Sequence, residues 1–195
     1  MSGAPGRRLI YSLAVSLDGY VAGPAGEIDW AAPDEQLHRF HNEQMRAIDV
    51  QLCGRRLYET MLYWETPSDD EAPGGPEHEF AEIWQSVPKL VFSSTLARVQ
   101  GNATLAGEEL ADEIVRLRRQ PGGGDLALGG AELAASAIER DLVDEYRPFV
   151  NPVVLGGGTP YLPPGVRLDL ELLETRTFGS RVVYLRYRRV RPGAS

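Results

Sequence analysis

The sequence predicts an α/β fold built on a mostly parallel sheet. Short apolar runs of strand length alternate with longer segments whose apolar residues recur at helical spacing, a pattern typical of parallel strands joined by crossover helices. Near the end, two strand-like runs follow one another through Gly179-Ser180, which indicates an antiparallel ending. No internal repeat or long linker divides the 195 residues, so we expect one domain at residues 8–191 behind a flexible N-terminus at residues 1–7.

The first half of the chain is predicted to alternate between strands and helices. RLIYSLAVS is a buried first strand, and DEQLHRFHNEQMRAI follows with Leu37, Phe40 and Met45 at roughly helical spacing. DVQLC predicts a second strand and GRRLYETMLYW a second helix, whereas the acidic ETPSDDEAPGGPEHE is rich in Pro and Gly and typical of a loop. EFAEIWQSV predicts a short helix that Pro88 ends, and KLVFSS predicts a third strand.

The second half continues the alternation and then changes character. EELADEIVRLRRQ is amphipathic through Leu110, Ile114 and Leu117, and PGGG ends it. DLALGG predicts a strand, AELAASAI a helix, and DEYRPFV a further strand. LDLELLETRTF and RVVYLRYRRV are predicted to be the two strands of the antiparallel ending. We expect the arginines of RYRRVR on an edge strand, where they discourage edge-to-edge pairing, with a homodimer seam as the alternative.

Charge and cysteine content exclude several classes of protein. The net charge of −8 and the pI of about 5.0 argue against a nucleic-acid partner or an anionic membrane surface, although a local anion site stays compatible with them. The absence of an 18-residue apolar run or a signal-like segment predicts a cytoplasmic protein. The single cysteine, Cys53, is expected to be a buried thiol. No metal site is predicted, because His38 and His41 lack a third ligand nearby and fit a solvated or packed pair.

Two glycine-bearing turns could hold a phosphate. In LALGGAELAASAI, Gly129 and Gly130 stand where a strand would meet a helix, so they either ease a tight joint or let an anion approach the unpaired N–H groups of the helix start. In GRRLYET, Gly54 precedes Arg55 and Arg56 at the start of a helix. Cations oppose the positive end of the helix dipole, so a binding role is favoured over a solvated arginine pair.

Three further positions carry polar groups at strand exits or in loops. Ser93 and Ser94 close the third strand and could bind a ribose or its phosphate, or form an ordinary turn. Asp18 leaves the first strand beside Gly19, where α/β sheets bind ligands, although Asp-Gly is also a turn pair. Asp29 and Trp30 suit the binding of a flat heterocycle, or simply a capped loop.

These pieces, in this order, resemble the dihydrofolate reductase superfamily, and within it the C-terminal reductase domain of the riboflavin-biosynthesis deaminase–reductase, RibD. The motifs are SLDGYVAGPAGEIDW, GRRLYET, EFAEIWQSVPKLVFSS, LALGGAELAASAI and DEYRPFVNPVVLGGGTPYL, and the resemblance spans about Arg8 to Val190. It implies a three-layer fold whose mostly parallel sheet has about eight strands and an antiparallel C-terminal pair. It also implies NADPH as hydride donor.

The resemblance also implies roles for individual residues. A phosphate-contacting turn is matched by Gly54, Arg55 and Arg56, and the region of the adenosine 2′-phosphate is matched by Ser93 and Ser94. The pyrophosphate-binding helix start is matched by Gly129, Gly130, Ala131, Glu132 and Leu133. The surroundings of nicotinamide and substrate are matched by Ala14 and Asp18. Asp18 is the first choice for proton donor and Asp29 the second, and Asp29 and Trp30 are the predicted substrate contacts.

Two departures bear on the activity. The usual threonine of the phosphate-contacting turn is Leu57 here, and none of Asp34, Glu35 and Glu43 on the first helix stands in clear register with the carboxylate that protonates folate. The deaminase half would need a Cys-containing zinc signature, which one cysteine cannot supply. The implied function is an NADPH-dependent reductase with activity like 5-amino-6-(5-phosphoribosylamino)uracil reductase in riboflavin biosynthesis. A dihydrofolate or pterin reductase and a non-catalytic NADPH-binding protein are the alternatives.

Overall fold

The first strand lies inside the sheet, and the chain adds strands on both sides of it. The computed structural model describes residues 6–66 and 74–191. The strands are β1 (Leu9–Ser16), β2 (Tyr20–Ala22), β3 (Ile48–Gly54), β4 (Lys89–Phe92), β5 (Ala103–Leu105), β6 (Asp125–Gly129), β7 (Glu145–Asn151), β8 (Thr159–Pro160), β9 (Leu170–Thr177) and β10 (Val183–Arg189). The helices are α1 (Glu35–Met45), α2 (Arg55–Met61), α3 (Pro76–Ser86), α4 (Leu110–Arg119) and α5 (Ala131–Glu139), with 3₁₀ turns at Asp29–Ala31 and Leu62–Glu65.

The main sheet has eight strands in the order β5-β4-β3-β6-β1-β7-β10-β9. All pairs from β5 to β7 are parallel, and β10 runs antiparallel to both of its neighbours. The predicted fold class is therefore confirmed. The expectation that RYRRVR decorates an edge strand is wrong, because β10 is interior and β9 is the edge. The arginines pair instead with acids on neighbouring segments, Arg186 with Glu145, Arg188 with Glu171, and Arg189 and Arg191 with Asp141.

Helices cover both faces of this sheet and make a three-layer fold. Successive side chains of a strand point to opposite faces, so Tyr11 packs among residues of α4 and α5 while Ile10 packs with Ile48 and Val87 on the other side. α1 and α3 lie together on this second face. β1 is buried from both sides, which explains why its sequence is almost continuously apolar.

Three short strands escape sequence prediction. β2, β5 and β8 have three residues or fewer, which is too short for a period of two to be recognised. β2 and β8 pair with each other in a small antiparallel sheet that joins the loop after β1 to the glycine-rich loop after β7.

The helix before β4 begins earlier than predicted. Part of the predicted loop, residues 67–73, lies outside the described ranges, but the PEHE that follows is helical and not a loop. Pro76 occupies the first helical position, where its missing N–H and fixed φ are tolerated, and the acids Glu77 and Glu79 favour the first turn. Similarly, α2 ends at Met61, and the remainder of its predicted length is the 3₁₀ turn Leu62–Glu65.

The chain is held to the domain from near its start. Residues 1–5 of the predicted flexible terminus lie outside the described ranges, whereas Arg7 bonds the Asp49 carboxylate and donates to the Leu117 carbonyl at 3.1 Å. Along residues 6–66 and 74–191, no helix combines the length and the apolar character needed to cross a membrane.

Candidate functional site

A cleft of about 550 Å³ opens between the sheet and the layer formed by α1 and α3. Its floor is made by β1, β3, β6 and β7, and its walls by α1, α2, the Leu62–Glu65 turn and α3. Two of the sequence-predicted site residues, Ala14 on β1 and Gly129 at the end of β6, line the cleft directly. Parallel sheets bind ligands beyond the carboxyl ends of their strands, so the cleft lies where this fold places its chemistry.

Two glycine-bearing strand ends lie side by side at one end of the cleft. Cys53 of β3 pairs with Gly129 of β6, which brings Gly54 and Gly130 together. Gly130 has a φ of +95°, a conformation that residues with a side chain rarely adopt. A Cβ at Gly129 would lie 2.1 Å from a methyl carbon of Leu57. Gly130 therefore favours glycine because of its backbone conformation, whereas a Cβ at Gly129 would require the flexible Leu57 side chain to move. The Gly129-Gly130 pair fits both a tight joint and close approach to the main chain.

The start of α5 leaves backbone donors free at this point. Gly130 has no side chain with which to cap the helix, and no side chain among the described residues accepts from the N–H groups of Ala131, Glu132 and Leu133. Unpaired N–H groups and the positive end of the helix dipole make such a start suitable for an anion. We call Gly54, Gly129, Gly130 and the first turn of α5 the glycine cradle.

Two arginines flank the glycine cradle, as the sequence predicts. Arg56 donates to Glu132 at 2.9 Å and so bridges the starts of α2 and α5, with both side chains largely exposed. Arg55 donates to Thr95 at 2.7 Å and to Glu59 at 2.8 Å. The tertiary structure thus gathers residues from two motifs that lie about 75 positions apart.

The turn after β4 reaches the same edge of the sheet. The Ser93 hydroxyl accepts hydrogen bonds from the backbone N–H of Thr95 at 3.2 Å and of Leu96 at 3.1 Å, so its oxygen serves the turn itself. Ser94 is exposed. Arg55 contacts this turn through Thr95, which places a cation beside the predicted 2′-phosphate region.

Asp18 binds the backbone of the loop at residues 155–156. Its carboxylate accepts a hydrogen bond from the Ser16 hydroxyl at 2.7 Å and from the backbone N–H groups of Leu155 at 3.1 Å and Gly156 at 2.8 Å. The Ser16 hydrogen bond, with those from the two backbone groups, lowers the pKa of Asp18. A carboxyl group held in its charged form is poorly suited to donate a proton, and Asp18 does not line the cleft. Its geometry therefore favours the turn over the catalytic role.

Asp29 and Trp30 are not among the residues that line the cleft. They form the 3₁₀ turn Asp29–Ala31, in which the Trp30 indole donates to the Glu27 carbonyl at 3.2 Å. Asp29 is exposed, and it is Ala32 and Pro33, just beyond the turn, that line the cleft. The predicted substrate contacts therefore precede cleft-lining residues along the chain without lining the cleft themselves.

The α1 side of the cleft carries His38 and His41, which the sequence analysis interpreted as a solvated or packed pair and did not include among the predicted site residues. His38, His41 and Met45 recur at a spacing of three and four residues, which places them on the helix face that looks into the cleft. None of the α1 acids lies there, since Asp34 caps the helix at Leu37 and Glu35 pairs with Arg39. The helical spacing itself could have identified the two histidines.

His38 and His41 differ in their surroundings. His38 Nδ1 lies 3.6 Å from Glu77 Oε1 of α3, and its ring lies against Trp64 and Phe80. His41 lies on Phe149 with ring centroids 4.3 Å apart. Burial lowers the pKa of His41 to about 4, with a smaller contribution from His38, so His41 is neutral at physiological pH.

Arg147 is the one arginine among the described residues that line the cleft, and its charge is balanced within the protein. Its Nε and Nη2 donate to Glu145 at 3.0 and 2.7 Å, and its Nη1 donates to Gln44 at 2.6 Å. Burial by itself would raise the pKa of Glu145, but hydrogen bonds from Arg186 and Arg147, with the charge of Arg8, lower it to about 2. Glu145 is therefore charged throughout the physiological range.

Neither metal nor thiol chemistry is indicated by the parts of the chain that the structure describes. They contain no group of three or more His, Cys, Asp or Glu side chains placed to hold a metal ion. Cys53 is fully buried, as predicted, and burial raises its pKa to about 12, so its thiol is inert.

Comparisons with known proteins agree with this architecture. A family model described as the RibD C-terminal domain matches residues 7–184. The uncharacterized protein YyaP of Bacillus subtilis (strain 168) is 35% identical over 182 residues, which are 93% of this chain and 94% of YyaP.

Solved structures extend the likeness to the fold. A Shewanella sp. PV-4 protein assigned to riboflavin biosynthesis superposes with a TM-score of 0.74 at 25% identity, over 94% of this chain and 99% of that one. Enterococcus faecalis dihydrofolate reductase, solved in complex with NADP(H) and RAB-propyl, has a TM-score of 0.62 at 13% identity, over 93% of this chain and 96% of that one. This chain therefore belongs to the RibD C-terminal domain family and has the three-layer fold of dihydrofolate reductase.

Proposed function

We propose that the protein is an NADPH-dependent reductase of a small heterocyclic or carbonyl substrate. The observation that carries the proposal is that Gly129 belongs both to the glycine cradle and to the lining of the cleft. An anion-binding backbone surface thereby continues into an apolar cavity, which is the arrangement that a nucleotide with a phosphate end and a reactive ring requires.

The residues present fit the phosphate end of NADPH. Bare backbone at Gly129 and Gly130 and the uncapped start of α5 would hold the diphosphate, and Arg56 would add a cation. Arg55, beside the Ser93–Thr95 turn, would meet the 2′-phosphate, and Ala14 would lie beside the nicotinamide. When bound, the cofactor supplies a hydride. The protein's part is to orient the acceptor, exclude water and provide a proton.

His38 is better placed than Asp18 to provide that proton. Its imidazole lines the cleft, and its Nδ1 lies 3.6 Å from Glu77 Oε1. Glu77 is half exposed, with 52% of its side-chain surface accessible, so it links the buried ring to solvent for reprotonation. His38 would pass a proton to the acceptor nitrogen or oxygen as the hydride arrives on carbon.

The family relation favours one named type of reaction. In 5-amino-6-(5-phosphoribosylamino)uracil reduction, C1′ of an opened ribosylamino group accepts the hydride and a ribitylamino group is formed. Dihydrofolate reduction is less well supported, because neither Asp34 nor Glu35 of α1 lines the cleft and both are engaged in local contacts.

The proposal is tested by NADPH binding and oxidation. We expect NADPH to bind in a tryptophan-fluorescence titration, and its absorbance to fall with 5-amino-6-(5-phosphoribosylamino)uracil or its dephosphorylated form but not with dihydrofolate. Arg56→Ala should weaken NADPH binding several-fold, whereas Arg140→Ala, at the opposite end of α5, should not. Failure to bind NADPH would refute the proposal. Tight binding without oxidation of NADPH by any pyrimidine, pterin or carbonyl acceptor would identify a non-catalytic NADPH-binding protein.

A further inference from the structure

A second cavity, of about 320 Å³, lies at the opposite edge of the sheet from the glycine cradle. Its lining comes from the amino ends of β1 and β7, from the end of the antiparallel β10, and from Arg118 of α4. The glycine cradle stands at the carboxyl end of β6, which runs parallel to β1 and so ends at the other edge. A ligand in this second cavity would therefore not compete with one in the cradle.

Arginines dominate the lining of this second cavity. Six of the 20 basic residues of the chain line it, together with two acids, and these charged lining residues are Arg7, Arg8, Arg118, Arg188, Arg189, Arg191, Asp144 and Glu145. The protein as a whole has a net charge of −8, so its average surface does not offer such a concentration of guanidinium groups. We call this site the arginine cavity.

Carboxylates balance most of this positive charge, and most of them lie outside the lining. The acids that pair with the arginines of the cavity without lining it are Asp49, Asp125, Asp141 and Glu171. Arg8 shares Glu145 with Arg147 and Arg186, and Arg186 also lies near Glu174. Across the described residues, the ion pairs thus join eight arginines to seven acids, so the network keeps a positive charge that an anion can neutralise.

Several guanidinium groups of the arginine cavity keep N–H groups that no described residue accepts. Arg188 uses its Nε and Nη2 and leaves Nη1, whereas Arg118 uses only Nη2 and leaves Nε and Nη1. Arg189 leaves Nη2, and Nε of the largely buried Arg7 has no acceptor. The side chains of Arg118 and Arg188 are 28% and 58% accessible, so a ligand can reach their free donors.

Such a set of donors suits an anion with several oxygens. The planar guanidinium donates two parallel N–H groups to a phosphate or carboxylate, and a charge-assisted hydrogen bond is about twice as strong as a neutral one. A volume of about 320 Å³ lies at the lower end of the range typical of small-molecule sites, which leaves room for more than a single phosphate ion.

We propose that the arginine cavity binds a multiply charged oxyanion, a diphosphate or a polycarboxylate. Arg118, Arg188 and Arg189 supply the free N–H groups, and their ion pairs with acids hold the guanidinium groups in place. The site is separate from the cleft, and the proposal does not depend on the reductase activity.

Calorimetric titrations with inorganic pyrophosphate and with citrate test the proposal, in a buffer of low ionic strength that leaves charges unscreened and without NADPH. We expect saturable binding, and Arg188→Ala should weaken it about ten-fold, the effect of one lost charged hydrogen bond. Arg118→Gln, at a less exposed position, should weaken it similarly. Tighter binding of pyrophosphate would assign the site to phosphate compounds, and tighter binding of citrate to polycarboxylates. The absence of saturable binding of both anions would overturn the proposal.

Two substitutions provide the controls. Arg39→Ala removes an arginine of similar exposure, 55%, from an ion pair with Glu35 on α1, and it should leave the affinity of the anion unchanged. Arg56→Ala, beside the glycine cradle, should also leave it unchanged. An equal loss in Arg39→Ala would assign the binding to overall charge, and a loss in Arg56→Ala but not in Arg188→Ala would place the anion in the cradle. Either result would contradict the proposal. The proposed function fails separately, if the wild-type protein does not bind NADPH.

Discussion

Glu145 is a buried carboxylate that three arginines contact, Arg8, Arg147 and Arg186. It receives hydrogen bonds from Arg147 and Arg186 at 2.7 to 3.0 Å, and it pairs with Arg8, while only 3% of its side chain is accessible. Glu145→Gln keeps the shape of the side chain and removes its charge. Because Arg147 lines the cleft, the substitution also disturbs the wall of the candidate site.

The size of the effect follows from the pKa of Glu145. That pKa lies at about 2 in the folded protein, against an ordinary value of 4.5. Each pH unit between the two is worth about 1.4 kcal/mol, so the carboxylate contributes roughly 3 kcal/mol to the free energy of unfolding. Removing one partner from a buried ion pair typically costs a similar ~3–5 kcal/mol.

The pH dependence has a definite sign. The folded pKa lies below the unfolded one, so the stabilisation is complete above pH 4.5 and is lost as the pH falls towards 2. Urea unfolding followed by tryptophan fluorescence should therefore show a large difference between wild type and Glu145→Gln at neutral pH, and a shrinking one in acid. Other carboxylates also titrate in acid, and taking the difference between the two proteins removes their contribution.

A surface pair on the same part of the sheet serves as the control. Glu171 pairs with Arg188 across β9 and β10, with half of each side chain exposed, so Glu171→Gln should cost less than about 1 kcal/mol. The reasoning is refuted if the free energy of unfolding of Glu145→Gln lies within about 1 kcal/mol of the wild-type value at neutral pH, because the substitution leaves the buried Arg147 without its acid.

Two further predictions concern the candidate site. Gly130→Ala should lower stability by about 1–3 kcal/mol and weaken NADP⁺ binding. The nearest neighbour of its Cβ is 3.7 Å away, so the cost comes from the φ of +95° and not from a clash. Gly123→Ala, at a position with open space, should change neither quantity, and an unchanged affinity in Gly130→Ala would contradict the cradle. His38→Gln should lower kcat by about 10²–10⁴-fold while NADP⁺ still binds. The control His78→Gln, in an exposed His–Glu pair, should leave kcat unchanged. Full turnover in His38→Gln would contradict the role of His38 as proton donor.

Local patterns predicted most of the elements because their cause is local. Strands buried on both faces read as continuous apolar runs, as in β1, and α4 shows its buried stripe through Leu110, Ile114 and Leu117. The sequence also marked Gly129 and Gly130 as unusual, since two glycines at a strand–helix joint are more than a turn needs.

Other features depended on contacts that no local pattern carries. Asp18 followed by glycine fits a ligand site and a turn equally well, and its hydrogen bonds to the loop at residues 155–156 favour a structural role. His38 could be interpreted only when Glu77 of α3 was brought beside it, 39 positions along the chain. From the sequence, Arg147 could be a cation that binds a substrate, but in the structure its guanidinium donates to Glu145 and Gln44.

The sequence by itself determined the α/β class, the antiparallel ending and the glycine-rich strand exits, because periodicity and backbone freedom are properties of short segments. Only the tertiary structure decided which strand exits meet, that β10 is interior, and that the cleft beside Gly129 is apolar with balanced charges. Strand order and charge pairing depend on residues far apart in the chain, whose interactions exist only once the sheet has formed.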